Sequence, residues 1–412
     1  MKLNYARRTL LVTFLASVLS FVLFFAHARE SENPYIDLHA HLFMNEGLGL
    51  LFWGDFDGPL KAAKWTDRLS SQANPESLEQ SKLGLVVASL YATYPFVRSK
   101  RTSIRNQIKQ AEEFVAKHPG WIIAKTAEEA RRARSEDKRI IVFSLEGVSG
   151  VIETDEDIKE FVEQRGIRIV TFAHLTEDEF SGVAMLPSWH VLASPVTWLR
   201  SLFKPHRCEG AKTSTQGLTE KGRKLAKKLI KNKVWLDLTH ASDESQRELI
   251  PMLEAAGQPL LYTHTTLRRH LPVERALADW QLEKVKSTGG MVGLMPADEM
   301  LEGTPTESSF LNEKNCQGGI YAMATHYDEI VRKIGIENVA IGTDTNGAIN
   351  HLPPVSSQCA THTSLDNPQG YWNIGQTADL WLALHNVGAL VGVNPADVID
   401  SFISKWEKVS KQ

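Results

Sequence analysis

His39 and His41 stand one residue apart, and Glu146, His240, His264 and Asp344 each close a short apolar run. Imidazole and carboxylate ligands without thiolates suit Zn²⁺, with Mn²⁺, Co²⁺ or Fe²⁺ as alternative occupants. One catalytic zinc takes three protein ligands and a water, so these six groups exceed the needs of a single ion. Two metals sharing a bridging carboxylate would use them all. A pair about 3.5–4 Å apart can hold a hydroxide and polarise a carbonyl at once, which is the chemistry of amide or ester hydrolysis.

Each position also has a plainer reading. Leu38 and Ala40 alternate with His39 and His41, so both imidazoles point to one face of a strand, where a histidine is often a satisfied core residue. Glu146 is harder to set aside, because it follows Phe143-Ser144-Leu145 and a lone buried carboxylate is costly. Asp344 follows Val339-Ala340-Ile341-Gly342-Thr343 and carries the same argument. His240 and His264 end similar runs, and the coincidence of all six favours a metal site.

Such convergence needs elements that bring distant residues to one place. Apolar runs occur at Tyr35–His41, Gly84–Ala92, Arg139–Glu146, Ile167–His174, Val234–His240, Pro259–His264, Met291–Met295 and Asn338–Asp344. Several are continuously apolar, as parallel strands buried on both faces are. Helix-like stretches rich in Glu, Lys, Arg and Ala lie between them, at Arg105–Lys117, Thr126–Ser135 and Thr219–Lys231. Eight alternating units predict an α/β fold, a (β/α)8 TIM-like barrel of the kind that normally needs about 250 residues. In it, His174 joins the six at one rim, because every strand ends on the same face. Leu175–Gly217 and Pro296–Tyr321 are longer than ordinary connections and would be insertions at that C-terminal face.

The rest of the composition narrows the class. A formal net charge of −3 gives no sign of a nucleic-acid partner. Lys2, Arg7 and Arg8 precede an apolar stretch from Thr9 to Ala26, and Ala26-His27-Ala28 offers a signal-peptidase site. Residues 1–28 therefore read as a signal peptide, or as a retained membrane anchor, and 29–412 as one hydrolase domain. Either way the folded part is exported, periplasmic or extracellular. The three cysteines, Cys208, Cys316 and Cys359, form no CxxC pair, so a cysteine zinc site is not expected and one optional disulfide is.

With these motifs in hand, the chain resembles the membrane (renal) dipeptidase family of zinc peptidases from about Tyr35 to Trp406. The resemblance rests on Asp37-Leu38-His39-Ala40-His41, Ser144-Leu145-Glu146-Gly147, Gly217-Leu218-Thr219 with Gly222, and Asp237-Leu238-Thr239-His240-Ala241-Ser242. Thr263-His264-Thr265-Thr266-Leu267-Arg268 and Ile341-Gly342-Thr343-Asp344-Thr345-Asn346-Gly347 complete it. It implies that Glu146 bridges two zinc ions, with His39, His41 and Asp344 on one and His240 and His264 on the other. It further implies that His174 stands near the substrate carbonyl and that Arg268 binds the substrate carboxylate. A guanidinium suits that task, although a solvated surface charge is the plainer reading of Arg268.

The clearest departure is His41, where the family usually has Asp. The change removes one negative charge and leaves two Zn²⁺ with about +2 instead of about +1 locally, which bears on metal retention and on the acidity of the bound water. The stretch Leu175-Thr176-Glu177-Asp178 is also atypical. The leading expectation is a zinc-dependent dipeptidase in which a metal-bound hydroxide attacks a dipeptide and Asp344 relays the proton to the leaving amine. Another metal-dependent amidohydrolase or lactonase on the same barrel is the alternative, and a binding protein that has lost catalysis is a third. The substrate is a small dipeptide-like molecule, and a homodimer stays open.

Overall fold

At Leu83–Leu90 and Arg139–Glu146 every residue is buried, side chains of both parities alike. A strand does this when helices cover one face and a filled barrel the other. The computed structural model describes residues 33–44, 56–61, 70–94, 96–186, 199, 206–301, 319–352, 370–386 and 394–411. In chain order the barrel strands are β1 (Tyr35–Ala40), β2 (Leu83–Leu90), β3 (Arg139–Glu146) and β4 (Ile167–Thr171). They continue with β5 (Trp235–Asp237), β6 (Leu261–Thr265), β7 (Met291–Leu294) and β8 (Val339–Ile341). The sheet order is β2-β1-β8-β7-β6-β5-β4-β3, and β3 pairs in turn with β2 from Leu85↔Ile140 to Leu90↔Leu145, so the parallel barrel is closed. All eight apolar runs lie on these strands.

Helices α1 (Lys100–Lys117), α2 (Ala127–Ser135), α3 (Glu220–Lys231), α4 (Asp243–Ala255), α5 (Asp279–Thr288), α6 (Gly319–Ile334), α7 (Thr377–Asn386) and α8 (Pro395–Lys411) surround it. Thr126 and Thr219 cap α2 and α3 with their hydroxyls, as their places before the helix-like stretches suggest. The first helix starts five residues earlier than its sequence pattern, because Ser99 supplies the cap. Helix α8 closes the N-terminal end of the barrel: Phe402 lies 5.5 Å from the Trp235 ring, and Lys405 Nζ donates to Asn338 Oδ1 at 2.6 Å.

Two small β elements lie outside the sequence reading. Trp121–Ile123 pairs with the outer edge of β3, and His206–Cys208 forms a hairpin with Ala211–Thr213. Three-residue strands show no periodicity to read. The hairpin turns at Glu209 and Gly210, both in the left-handed region (φ 48° and 80°), which gives the tight turn that matches strand twist. The described stems of the first long insertion return to the rim, where Ala184 N–H donates to His240 O and Ser242 N–H to Gly182 O. Residues 1–28, Cys316 and Cys359 lie outside the described residues, and Cys208 is a free thiol. No helix among the described residues is long and apolar enough to cross a membrane.

Candidate metal centre

Parallel strands deliver their last residues to one rim, and the metal-type residues arrive there together. His39 ends β1 and His41 follows it, Glu146 closes β3, His264 lies in β6, and His240 and Asp344 stand three residues past β5 and β8. Glu146 is at the middle. His240 Nε2 and His264 Nε2 lie 3.2 and 3.7 Å from its Oε1, and 3.1 Å from each other. His41 Nε2 lies 3.3 Å from Glu146 Oε2 and 3.3 Å from Asp344 Oδ1. His39 Nε2 completes that side at 3.3 Å from His41 Nε2, 3.6 Å from Glu146 Oε1 and 3.9 Å from Asp344 Oδ1. His39 thus stands between the His240–His264 pair at Oε1 and the His41–Asp344 pair, and all of them converge on one carboxylate. His174 stands beside them, with Nε2 3.6 Å from Glu146 Oε2 and its ring edge-on to Tyr91 and His240, each at 4.6 Å.

The electrostatics are those of a cation site. Both Glu146 oxygens are buried and neither has a hydrogen-bond partner, a costly state for an ionised carboxylate unless positive charge faces it. Burial alone would raise the Glu146 carboxyl, but the imidazoles around it hold it well below the usual carboxylate range. Burial pushes His39 down to about 4 and His240 and His264 well below the ordinary imidazole value, so these rings are neutral. His41 is the exception. Burial would lower it too, yet Asp344 and Glu146 beside it pull it up to about 10. Unpartnered carboxylate oxygens and converging neutral imidazoles fit a pair of divalent cations.

The backbone is bent to produce this arrangement. His240 and Asp344 both adopt left-handed conformations, φ 67° and 54°, each costing about 1–2 kcal/mol for a residue with a Cβ. Such strain persists where the surroundings over-determine it. Asp37 Oδ1 accepts from the backbone N–H of His39 and of Thr343, both at 3.0 Å, and ties the end of β1 to that of β8. Asn346 extends the tie, donating through Nδ2 to His41 O at 3.1 Å while Gln72 N–H donates to its Oδ1 at 2.8 Å.

Arg268 corrects the sequence reading. It is fully buried, and its guanidinium donates to both Asp243 oxygens at 2.8 and 2.7 Å, to Ala276 O at 3.0 Å and to Glu274 O at 2.8 Å. It is neither a solvated surface charge nor free to receive a substrate carboxylate, because the chain turns away from the rim directly after β6. The arginine that reaches the centre is Arg275. Its Nε donates to His240 Nδ1 at 3.2 Å and its Nη2 to His264 O at 2.8 Å, while Nη1 is buried with no partner. Burial brings Arg275 down to about 10, which leaves it cationic at neutral pH. Its only mark in the sequence is a charge set among Val273, Ala276 and Leu277, too slight to single out. Next to it, Glu274 Oε2 accepts from Met185 N–H and Ser214 N–H and so ties both stems of the first insertion to the same loop.

The same family emerges from comparison with known proteins. The model of the membrane dipeptidase family (peptidase family M19) matches residues 25–194 and 196–356. The solved structure of the dipeptidase AC, a metallopeptidase of family M19, superposes with a TM-score of 0.65 at 17% identity, covering 92% of this chain and 99% of that one. A Rhodobacter sphaeroides metallopeptidase, liganded with a phosphinate mimic of the dipeptide L-Ala-D-Ala, superposes with a TM-score of 0.64 at 17% identity, covering 91% and 99%. Dipeptidase 3 of Macaca fascicularis is 28% identical over 136 residues, 33% of this chain and 25% of that protein. The structural likeness speaks for the fold and the family model for membership: this chain belongs to the membrane dipeptidase family of metal-dependent hydrolases.

Proposed function

We propose that the chain is a dipeptidase that hydrolyses the peptide bond of small dipeptides at a two-zinc centre, with Mn²⁺ or Co²⁺ able to substitute. The observation that carries this reading is Glu146, whose two buried and unpartnered oxygens each face a different set of imidazoles. In this reading Glu146 would be shared by the two metals, His39, His41 and Asp344 would hold one, and His240 and His264 would hold the other. When bound, the metals supply Lewis-acid activation of the carbonyl and of a water.

The remaining work falls to this chain's own groups. Asp344, with about a tenth of its side chain exposed, stands at the open side of the centre and can carry a proton to the leaving amine. His174, kept neutral by burial, offers one N–H to the carbonyl oxygen as negative charge grows there. Arg275 takes the role first assigned to Arg268: its buried, unpartnered Nη1 is the charge-assisted donor for a terminal carboxylate. The export reading of residues 1–28 belongs to the same proposal and places the enzyme in the periplasm or outside the cell, anchored if that segment is retained.

His41 favours the second reading, another amidohydrolase or lactonase, because an imidazole replaces the family's carboxylate and makes that half more cationic. A panel separates the two. L-Ala-L-Ala, L-Ala-D-Ala, N-acyl amino acids and lactones are offered to the purified chain reconstituted with zinc. Cleavage of free dipeptides above the others is the expected result; turnover confined to lactones or N-acyl amino acids would hand the lead to the alternative.

A further inference from the structure

Thr263 lies beneath the centre where its two halves meet. Its hydroxyl oxygen is 3.2 Å from His39 Nδ1, 3.0 Å from His264 Nδ1 and 2.7 Å from Asp237 Oδ2. Asp237 is fully committed as an acceptor: it also takes Thr239 N–H at 3.1 Å, Thr239 Oγ1 at 2.7 Å, Thr263 N–H at 3.0 Å and Thr171 Oγ1 at 2.7 Å. The single hydrogen of Thr263 therefore goes to Asp237, and the hydroxyl's lone pairs accept from the two rings. Each ring then carries its proton on Nδ1 and presents a bare Nε2 at its other end.

The far ends of both rings face one atom. His39 Nε2 and His264 Nε2 lie 3.6 and 3.7 Å from Glu146 Oε1, and the ring centroids are 3.7 Å apart at 35°. Two imidazoles run side by side between one hydroxyl and one carboxylate oxygen. The backbone here is closely packed: a Cβ on Gly293 or Gly342 would fall 1.9 or 2.0 Å from the Thr263 carbonyl oxygen. His240 is placed differently, because its Nδ1 neighbour is Arg275 Nε, itself a donor.

We propose that Thr263 is a positioning residue that fixes His39 and His264 in the Nδ1–H tautomer and so ties both metal positions to one hydroxyl. The proposal deepens the reading of these rings as ligands, one in each half. An outer partner of a metal-bound histidine typically contributes about 10–100-fold in metal affinity. Here one such partner serves two metals, so its loss weakens both together.

The test has two arms on the full chain. In the first, nitrogen NMR of ¹⁵N-histidine-labelled, metal-free protein assigns the tautomers, with His39→Gln and His264→Gln identifying the signals. Both rings are expected as Nδ1–H in the unsubstituted chain and in Thr263→Ser, but not in Thr263→Val. In the second, zinc is withdrawn by graded chelator. Thr263→Val loses both metals at about 10–100-fold lower chelator strength, and Thr263→Ser stays close to the unsubstituted chain. Nε2–H rings in the unsubstituted chain, or a Thr263→Val protein that loses one metal only, would overturn the assignment. If Thr263→Val does not fold, the unsubstituted chain and Thr263→Ser decide it. The first arm needs neither metal nor substrate, so Nδ1–H rings in a chain that binds no zinc would sink the dipeptidase reading and leave the hydroxyl's role intact.

Discussion

The loop between β6 and α5 carries two buried arginines, one near each end, and they have opposite fates. Arg268, at its start, has every side of its guanidinium engaged and no exposure. Arg275, near its end, keeps one buried Nη1 without a partner beside the metal-type residues. Burial does not distinguish them; the accounting of donors does. The two are also linked, since Arg268 donates to Glu274 O and Ala276 O, the carbonyls on either side of Arg275. The first arginine shapes the loop, and the second uses the shape.

Three substitutions sharpen this contrast, the largest effect first. Arg268→Ala leaves Asp243 buried without its partner and removes the hold on both sides of Arg275. Loss of one member of a buried pair costs about 3–5 kcal/mol, so urea unfolding should shift by that amount and activity should fall with it. A stable Arg268→Ala protein with unchanged activity would show that the cradle is idle. Arg275→Ala should spare more of the stability and cost kcat/KM for a dipeptide instead. A charge-assisted hydrogen bond contributes about 1.5–3 kcal/mol, or roughly 10–100-fold. Most of that loss should vanish when the dipeptide's carboxylate is replaced by an amide, and an equal loss for both substrates would remove Arg275 from that role.

The smallest effect belongs to a wet counterpart. Arg105 makes the same two-pronged pair with Glu160, both bonds at 2.7 Å, on the partly exposed outer surface between α1 and the helical segment Ile158–Gln164. The Arg105 hydrogen bonds, with a further one from Arg165 at 2.9 Å, bring Glu160 down to about 2, below its ordinary 4.5. The folded chain therefore favours the ionised form. The resulting stability is present above pH 4.5 and is lost as pH falls toward 2. Arg105→Ala should cost less than about 1 kcal/mol at neutral pH, because solvent screens the pair, and should flatten that acid dependence. A cost matching Arg268→Ala would mean that geometry, not burial, sets the worth of these pairs.

Much of this molecule is readable from sequence because barrel strands are apolar on both faces and end on one rim. That rule located the eight strands, and it brought His39, His41, Glu146, His240, His264 and Asp344 to one place. It failed where position depends on a loop's path. Arg268 is four residues past His264 and looks rim-facing along the chain, but the backbone turns it inward against Asp243. Arg275 is carried back to the centre by hydrogen bonds between Thr266, Arg268 and Leu277 that no local pattern announces. Thr263 hides for another reason: a threonine in a strand is ordinary, and only its three neighbours at hydrogen-bond distance give it meaning.

The account stands on the proposal that Glu146 is shared by two metals. The direct measurement is metal content per chain of the purified protein, before and after exhaustive chelation and re-addition of zinc, with dipeptide hydrolysis followed in the same samples. Two metals per chain, activity lost with them and restored by zinc, is the predicted result. A chain that takes up no metal even when zinc is offered would contradict it.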